Sequence, residues 1–409
     1  MDYLELRQSI KLSLRRQENI FNHSLLLNPV ENIPFKDDIS TASSFLHGLY
    51  NTDKLRTPDA QLNTPIQFSG RGRISYDIQK IYKAWATALG ASDVSMRLLS
   101  GLHAHIILFM GISNPGDSVL LLPELAGGHM STKAILERLG LRVMEMIVDK
   151  TEMSIDLERT VKKYQKESPD FIFVDRSEGL TVEDFTPLVK AFESFTIFDA
   201  SQYLTNIIAG DHPNPFASNF DLMISSMHKN FPGPQRAMVA TKQRTPVWSN
   251  LLNKISTYVS NMHVFGIYTA GLTLSREEWL KRYSGQMLQN AVILEDALYE
   301  RGVPVVRRKR EAIPTHHLWI EMPSHTEAFN KYRDLERCRI MTNYRRLPYG
   351  IGYGLRLGLS SATRQGLTPE SISGLADIIT MIYERGATKE IRCVAQEFIC
   401  SVIDYPTLI

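Results

Sequence analysis

Between residues 118 and 224 short apolar runs alternate with helix-like segments: runs at 118–122, 142–147, 171–174, 196–198 and 222–224, helical patterns at 133–139 and 186–195. Strand, helix, strand in series demands a largely parallel sheet, because parallel neighbours must be joined by a crossover that covers a face of the sheet. The fold class is therefore α/β. In such sheets ligands gather at the carboxyl ends of the strands, so the polar residues that follow each apolar run are the first candidates for function.

The flanking sequence has a different character. Residues 2–20 read as an amphipathic helix, with Leu4, Ile10, Leu12 and Leu14 set among Arg and Gln, and the chain turns at Asn28-Pro29. From about 36 to 75 Ser, Thr, Asn, Gly and Pro dominate with weak periodicity, which predicts a long irregular stretch of the kind that carries function. A helical pattern over 76–89 ends at Gly90. After 275 the rhythm becomes a long helix (276–301), a strand at 317–321, a helix, a strand near 354–358 and a closing helix from 369, a separate α+β unit. The expected organisation is an N-terminal helix and arm (1–35), a large domain (36–272) and a small C-terminal domain (273–409).

Several function classes are disfavoured. Forty-six basic against 44 acidic residues leave a formal charge of +2, too even for a non-specific nucleic-acid face. The basic run Arg307-Arg308-Lys309-Arg310, after the turn-like Arg301-Gly302-Val303-Pro304, reads as a solvated loop or strand end. Cys338, Cys393 and Cys400 are odd in number and lack paired CxxC spacing, which predicts neither a disulfide framework nor a zinc site. The charged first residues and the shortness of the apolar stretches, such as 106–112, predict a cytoplasmic protein without a membrane span.

The chemistry concentrates after the strands. Ser225-Ser226-Met227-His228-Lys229-Asn230 follows the run ending at Ile224 and sets a lysine where an amine can form a Schiff base. Asp199 ends the run from Phe195, and a carboxylate there needs a cationic or hydrogen-bonding partner. The protonated nitrogen of pyridoxal phosphate would supply one; a helix cap or a turn aspartate satisfies the same pattern. Leu99-Ser100-Gly101-Leu102 precedes a helical run from Ala104, where free amides and a hydroxyl can hold a phosphate. Gly127-Gly128-His129 follows the strand at 120–122, and its imidazole either lies over a cofactor ring or caps a turn.

In this order and spacing the chain resembles, over nearly its whole length, the serine hydroxymethyltransferase branch of the fold-type-I pyridoxal-phosphate enzymes. The resemblance implies a large, mostly parallel sheet of the seven-stranded type with a smaller C-terminal α+β domain. It implies that Ser100 and Gly101, with Leu102, bind the phosphate and that His129 stacks on the pyridine ring. Ser177 would bond the phenolic oxygen, Asp199 the ring nitrogen, and Lys229 would carry the cofactor covalently, in the match of Ser-Met-His-Lys-Asn to the family's Thr-Thr-His-Lys-Thr. His228 belongs to the same set, and Gln202 stands where the family usually has a histidine. Residues 353–366 resemble the family's Gly-Ile-Arg-x-Gly-Thr stretch, which implies that Arg356 grips the substrate α-carboxylate, with Glu31 on the substrate side. A guanidinium suits that task because its fork pairs with a carboxylate in two bonds and so fixes which Cα bond faces the ring.

The departures fall mainly on the folate side. Val30 replaces the serine of the family's Ala-Ser-Glu-Asn stretch, and Phe45-Leu46-His47-Gly48 stands for Tyr-x-Glu-Gly, so that His47 replaces an acid/base glutamate. An imidazole can move a hydroxyl proton near neutral pH, and a bystander loop histidine fits the same position. Tyr-Tyr-Gly-Gly has become Phe68-Ser69-Gly70-Arg71, and the glycine-rich interface loop is reduced to residues 258–263. The reading is a homodimeric pyridoxal-phosphate enzyme with a shared active site, using aldol-type chemistry without folate on a small α-amino acid. Authentic hydroxymethyl transfer, another Cα reaction such as transamination, racemisation or decarboxylation, and a non-catalytic binding protein are the alternatives.

Overall fold

The computed structural model describes residues 3–44, 48–51, 59, 62 and 68–403. They form two compact units: a larger one of Asn32–Gly285 with Pro348–Gly350, and a smaller one of Met1–Glu31, Gln286–Leu347 and Ile351–Ile409. These bounds fall a few residues from the expected 35/36 and more from 272/273, and the N-terminal segment groups with the C-terminal residues.

The larger unit is built on seven strands: β1 (Asp93–Ser95), β2 (Ser118–Leu121), β3 (Arg142–Glu145), β4 (Phe171–Asp175), β5 (Phe195–Asp199), β6 (Leu222–Ser226) and β7 (Ala237–Thr241). Their order is β1-β7-β6-β5-β4-β2-β3. From β6 to β3 every pairing is parallel, and β7 alone runs against its neighbours. The alternation of apolar runs with crossover helices dictates this arrangement, and helices on both faces bury it. On one face Ile78, Tyr82, Trp85 and Leu89 of α1 (Gly72–Leu89) form an apolar stripe at helical spacing. On the other, Ala104, Ile107, Leu108 and Phe109 of α2 (Gly101–Ile112) pack with Trp248 and Leu251. Gly90 stops α1 in the left-handed region at φ 63°, where a side chain would be strained. The segment expected to be irregular contains a short helix, Lys36–Ala42.

The smaller unit carries an antiparallel sheet of β8 (His317–Met322), β9 (Asn343–Leu347) and β10 (Gly352–Gly358), with β10 in the middle. Leu25-Leu26 pairs in parallel with Ile340-Met341, which ties the N-terminal segment into this unit. One expectation is corrected here. Arg308 is not solvated: it is buried against Glu295, 2.6 Å away, and donates to the carbonyls of Thr315 and His317, because a buried guanidinium persists where all its donors are used. Among the described residues no helix is long and apolar enough to cross a membrane.

Candidate active site

Parallel strands share a carboxyl edge, so the loops that leave β2, β4, β5 and β6 meet along one rim of the larger unit. β1 runs the same way, and Ser100 follows it. The rim therefore gathers Ser100 to Leu102, His129, Ser177, Asp199, Gln202, His228 and Lys229.

Ser100 is the N-cap of α2, its hydroxyl accepting from the His103 amide at 3.3 Å, so the helix starts at Gly101 rather than at the expected Ala104. Amides of this first turn remain available for an anion. The glycine is required by space: a Cβ at Gly101 would overlap the Ser226 hydroxyl of β6. At the end of β2, a Cβ on Gly127 would collide with the Glu178 carbonyl and one on Gly128 with the Leu122 carbonyl. The Glu178 amide also donates to the Gly127 carbonyl at 3.0 Å, so the loop bearing His129 is clasped to the loop bearing Ser177. His129 is half-buried, and its Nδ1 accepts from the Ser131 amide at 3.2 Å. Burial pushes its pKa down, leaving a neutral ring.

Lys229 is held from behind. Asn32 donates through one Nδ2 to the Lys229 carbonyl at 2.7 Å, the Asn230 carbonyl at 3.2 Å and the Tyr283 hydroxyl at 2.9 Å. Asn230 in turn accepts from the Thr205 amide at 2.7 Å and donates to Asn206 at 2.8 Å. The backbone is thereby fixed while the amine is left to act. Burial and the neighbouring Lys229 ammonium push the His228 imidazole down to about 4, and its Nδ1 is enclosed without a hydrogen-bond partner among the described residues.

Asp199 ends β5 directly beside Asp175 of β4, and both carboxylates are buried. Its Oδ1 accepts from the Ser201 amide at 2.7 Å and its Oδ2 lies 2.8 Å from His105 Nε2. Burial pushes the Asp199 pKa up; His105, Lys229 and the Ser201 amide outweigh it and hold the group below its ordinary range. Ser177 donates to Asp175 Oδ1 at 3.3 Å. Gln202 is buried in the turn after β5.

The donor set suits pyridoxal phosphate. An ionised buried acid matches a pyridinium, an uncovered neutral imidazole matches a ring face, and an amine at a strand end matches an aldehyde. The enclosed His228 Nδ1 beside Lys229, without a hydrogen-bond partner among the described residues, is the observation that a bound group would answer.

Arg356 and Glu31 lie together in the smaller unit. Arg356 is buried on β10 and its Nε donates to Asn343 at 3.2 Å; Asn343 donates to Asn28 at 3.4 Å, and Asn28 bonds the Glu31 carboxyl. Desolvation nonetheless raises the pKa of Glu31. His47 lies outside the described residues.

Sequence reading missed His105, Thr132, Asp175 and Asn32 as members of this assembly. His105 did leave a signal, as the one strongly polar residue within the apolar run of 104–112, one helical turn after Gly101. Asn32 stands two residues after Val30, which replaces the family's serine, yet nothing local shows that it reaches Lys229.

Residues 76–379 match the family model described as serine hydroxymethyltransferase. A fluorothreonine transaldolase from Streptantibioticus cattleyicolor is 31% identical over 308 residues, which are 74% of this chain and 48% of that protein. The matched region thus spans about half the length of that relative. A serine hydroxymethyltransferase from Pyrobaculum calidifontis is 25% identical over 315 residues, covering 74% of this chain and 73% of that one. The crystal structure of an L-threonine transaldolase from Pseudomonas fluorescens superposes with a TM-score of 0.91 over 98% of this chain and 93% of the other, at 19% identity, which establishes the fold.

Proposed function

The chain belongs to the serine hydroxymethyltransferase family of pyridoxal-phosphate enzymes, and from that premise we propose that it is a folate-independent aldol-type transferase. It would cleave the Cα–Cβ bond of a small β-hydroxy-α-amino acid and pass the glycyl fragment to another aldehyde. When bound, the cofactor condenses with the amino group and draws the electrons released at Cα into its ring. The rest is the work of the chain's own residues. Lys229 would hold the cofactor through its amine and, once the substrate's amino group has taken its place there, would be the amine on hand to move protons. Asp199 accepts from the ring nitrogen and keeps it protonated. His129 covers one ring face; Ser100 and the amides of Gly101 and Leu102 take the phosphate. Ser177 and Gln202 address the phenolic oxygen, and His228, being neutral, brings no second cation beside Lys229. Arg356 and Glu31 bind the amino-acid substrate, and His47 handles its hydroxyl proton.

The observation that carries the reading is the pairing of an ionised, buried Asp199 with Lys229 at neighbouring strand ends. The choice of transaldol over hydroxymethyl transfer is supported by the fluorothreonine transaldolase relative and by the altered 45–48 and 68–71 segments on the folate side. The hydroxymethyltransferase relatives favour the second reading, transfer to tetrahydrofolate. A homodimer with a shared site fits the family, and three unpaired cysteines fit a reducing cytoplasm.

The deciding experiment is the visible spectrum of the purified protein with glycine, serine and threonine, each with and without an aldehyde or tetrahydrofolate. A yellow protein whose band shifts to the red with threonine, and which yields a new β-hydroxy amino acid when aldehyde is added, supports the proposal. Turnover of serine that depends on tetrahydrofolate supports the second reading. A colourless protein that pyridoxal phosphate cannot reconstitute refutes both.

A further inference from the structure

We propose that His105 is a positioning residue that holds Asp199 as a carboxylate, so that the ring-nitrogen end of the cofactor site presents a permanent anion. The inference rests on the assignment of Asp199 to the pyridine nitrogen made above.

The problem it solves is set by the sheet. The register of β4 against β5 places Asp175 opposite Asp199, and at 1% and 5% exposure neither can be hydrated. Two adjacent buried carboxylates do not both stay ionised without a cation between them. His105, one turn into α2, is inserted there: Nε2 lies 2.8 Å from Asp199 Oδ2, and Nδ1 lies 3.1 Å from Thr132 Oγ1 and 3.9 Å from Asp175 Oδ2.

With both carboxylates ionised, hydrogen-bond accounting gives the charge of the ring. The single Thr132 hydroxyl proton goes to Asp175 Oδ2 at 2.8 Å, so toward His105 the threonine can only accept and Nδ1 must donate. Ionised Asp199 is also acceptor-only, so Nε2 must donate as well. Both nitrogens carry protons and His105 is an imidazolium. Its surroundings agree. Burial would lower its pKa, but Asp175 and Asp199 overcome burial and the opposing Lys229 charge and raise it. The ring also meets Phe173 and the neutral His129 ring in T-shaped contacts, with centroids 5.0 and 5.7 Å away. His105, His129 and Asp175 also lie close enough to hold a metal ion, but both nitrogens of His105 are already engaged.

Two carboxylates and one imidazolium sum to one negative charge, which one pyridinium neutralises. Without His105 the pair would take up a proton. On Asp199 it would turn the partner of the ring nitrogen from an acceptor into a neutral acid, and the ring would lose its own proton.

The test begins with the cofactor-free protein at neutral pH. Proton NMR should show two slowly exchanging imidazole N–H signals that vanish together in His105→Asn; a single signal would mean a neutral ring and overturn the proposal. Infrared difference spectra of His105→Leu against wild type should gain the C=O stretch of a protonated carboxyl group, absent from His105→Leu/Asp199→Asn. No new band, or a band that persists in His105→Leu/Asp199→Asn, overturns it. Affinity of His105→Leu for pyridoxal phosphate should fall about tenfold, the worth of one charge-assisted hydrogen bond. Thr132→Val, which leaves His105 and Asp199 in place, should lose one of the two signals. Asp199→Ala separates the two readings: undiminished cofactor affinity there defeats the ring-nitrogen assignment and leaves the NMR result standing.

Discussion

Gly101→Ala is the substitution whose effect the structure fixes most closely. The new methyl group meets one obstacle, the Ser226 hydroxyl; the next atoms, Ser226 Cβ and Ser201 Oγ, are 3.7 Å away, an ordinary contact. Ser226 is buried and its hydroxyl is bonded to Ser201 at 3.1 Å, so swinging it aside breaks that bond. A buried hydrogen bond is worth about 1 kcal/mol, and residual crowding in a packed site brings the cost of Gly101→Ala to about 1–2 kcal/mol. Ser226→Ala alone loses the same bond, about 1 kcal/mol, and leaves Ser201 its bond from the Ser226 amide at 2.8 Å. In the double variant the obstacle is gone. Its destabilisation should therefore stay near that of Ser226→Ala, about 1 kcal/mol, well below the sum of the two single changes. Urea unfolding of the cofactor-free forms measures the cycle. Additive costs would refute the argument, since the collision would then lie elsewhere. Pyridoxal phosphate titration adds a functional arm: affinity lost in Gly101→Ala should recover in the double variant, because the first turn of α2 regains its place.

Three further outcomes are expected. Lys229→Ala should bind pyridoxal phosphate reversibly and release it on dialysis, with no turnover of any amino acid; colour that survives dialysis would move the attachment point. His228 is held from 6.5 down to about 4, so the unfolded chain takes up a proton that the folded chain refuses. Stability should accordingly fall as pH drops from 6.5 to 4, by about 3 kcal/mol at most, and denaturation of cofactor-free His228→Asn should lack that component of the slope. Arg236, pushed down to about 10 by burial, donates to the carbonyls of Met96, Met262 and His263. Arg236→Met, which leaves buried carbonyls without donors, should cost about 1–3 kcal/mol and open the chain near residues 259–263 to limited proteolysis, whereas an unchanged cleavage pattern would show that Arg97, which grips Val259 and Ser260, suffices alone.

What could be read from the sequence, and what could not, follows from the range of each interaction. The parallel strands were legible because a buried run such as Phe171 to Val174 needs no partner to be recognised, and the rim residues because they stand directly after such runs. β7 was not assigned, since Ala237 to Thr241 is as apolar as its neighbours and nothing local distinguishes an antiparallel return. β9 escaped because Asn343-Tyr344-Arg345-Arg346 lacks an apolar alternation and is a strand only through its pairing with β10. The relay behind Asp199 stayed hidden for a different reason. Its members come from α2, from the short helix Thr132–Arg138 and from two strands, and only the register of β4 on β5 brings Asp175 to Asp199. The charge of His105 depends on which way one threonine proton points, a fact of three-dimensional accounting with no trace in spacing.

The strand order also has a kinetic consequence. Asp93 pairs with Thr241, so the sheet cannot be finished until the end of β7 has returned to its beginning in β1, and the loops that hold the cofactor are spread along the chain between them. Helices such as α1 can flicker into existence early, but the rim exists only after this long closure, which makes it among the last features to mature. A ligand that recognises the rim therefore cannot template the early steps. It acts as a latch, slowing escape from the finished state more than it hastens arrival there, and uptake of colour during refolding should trail the recovery of helical signal.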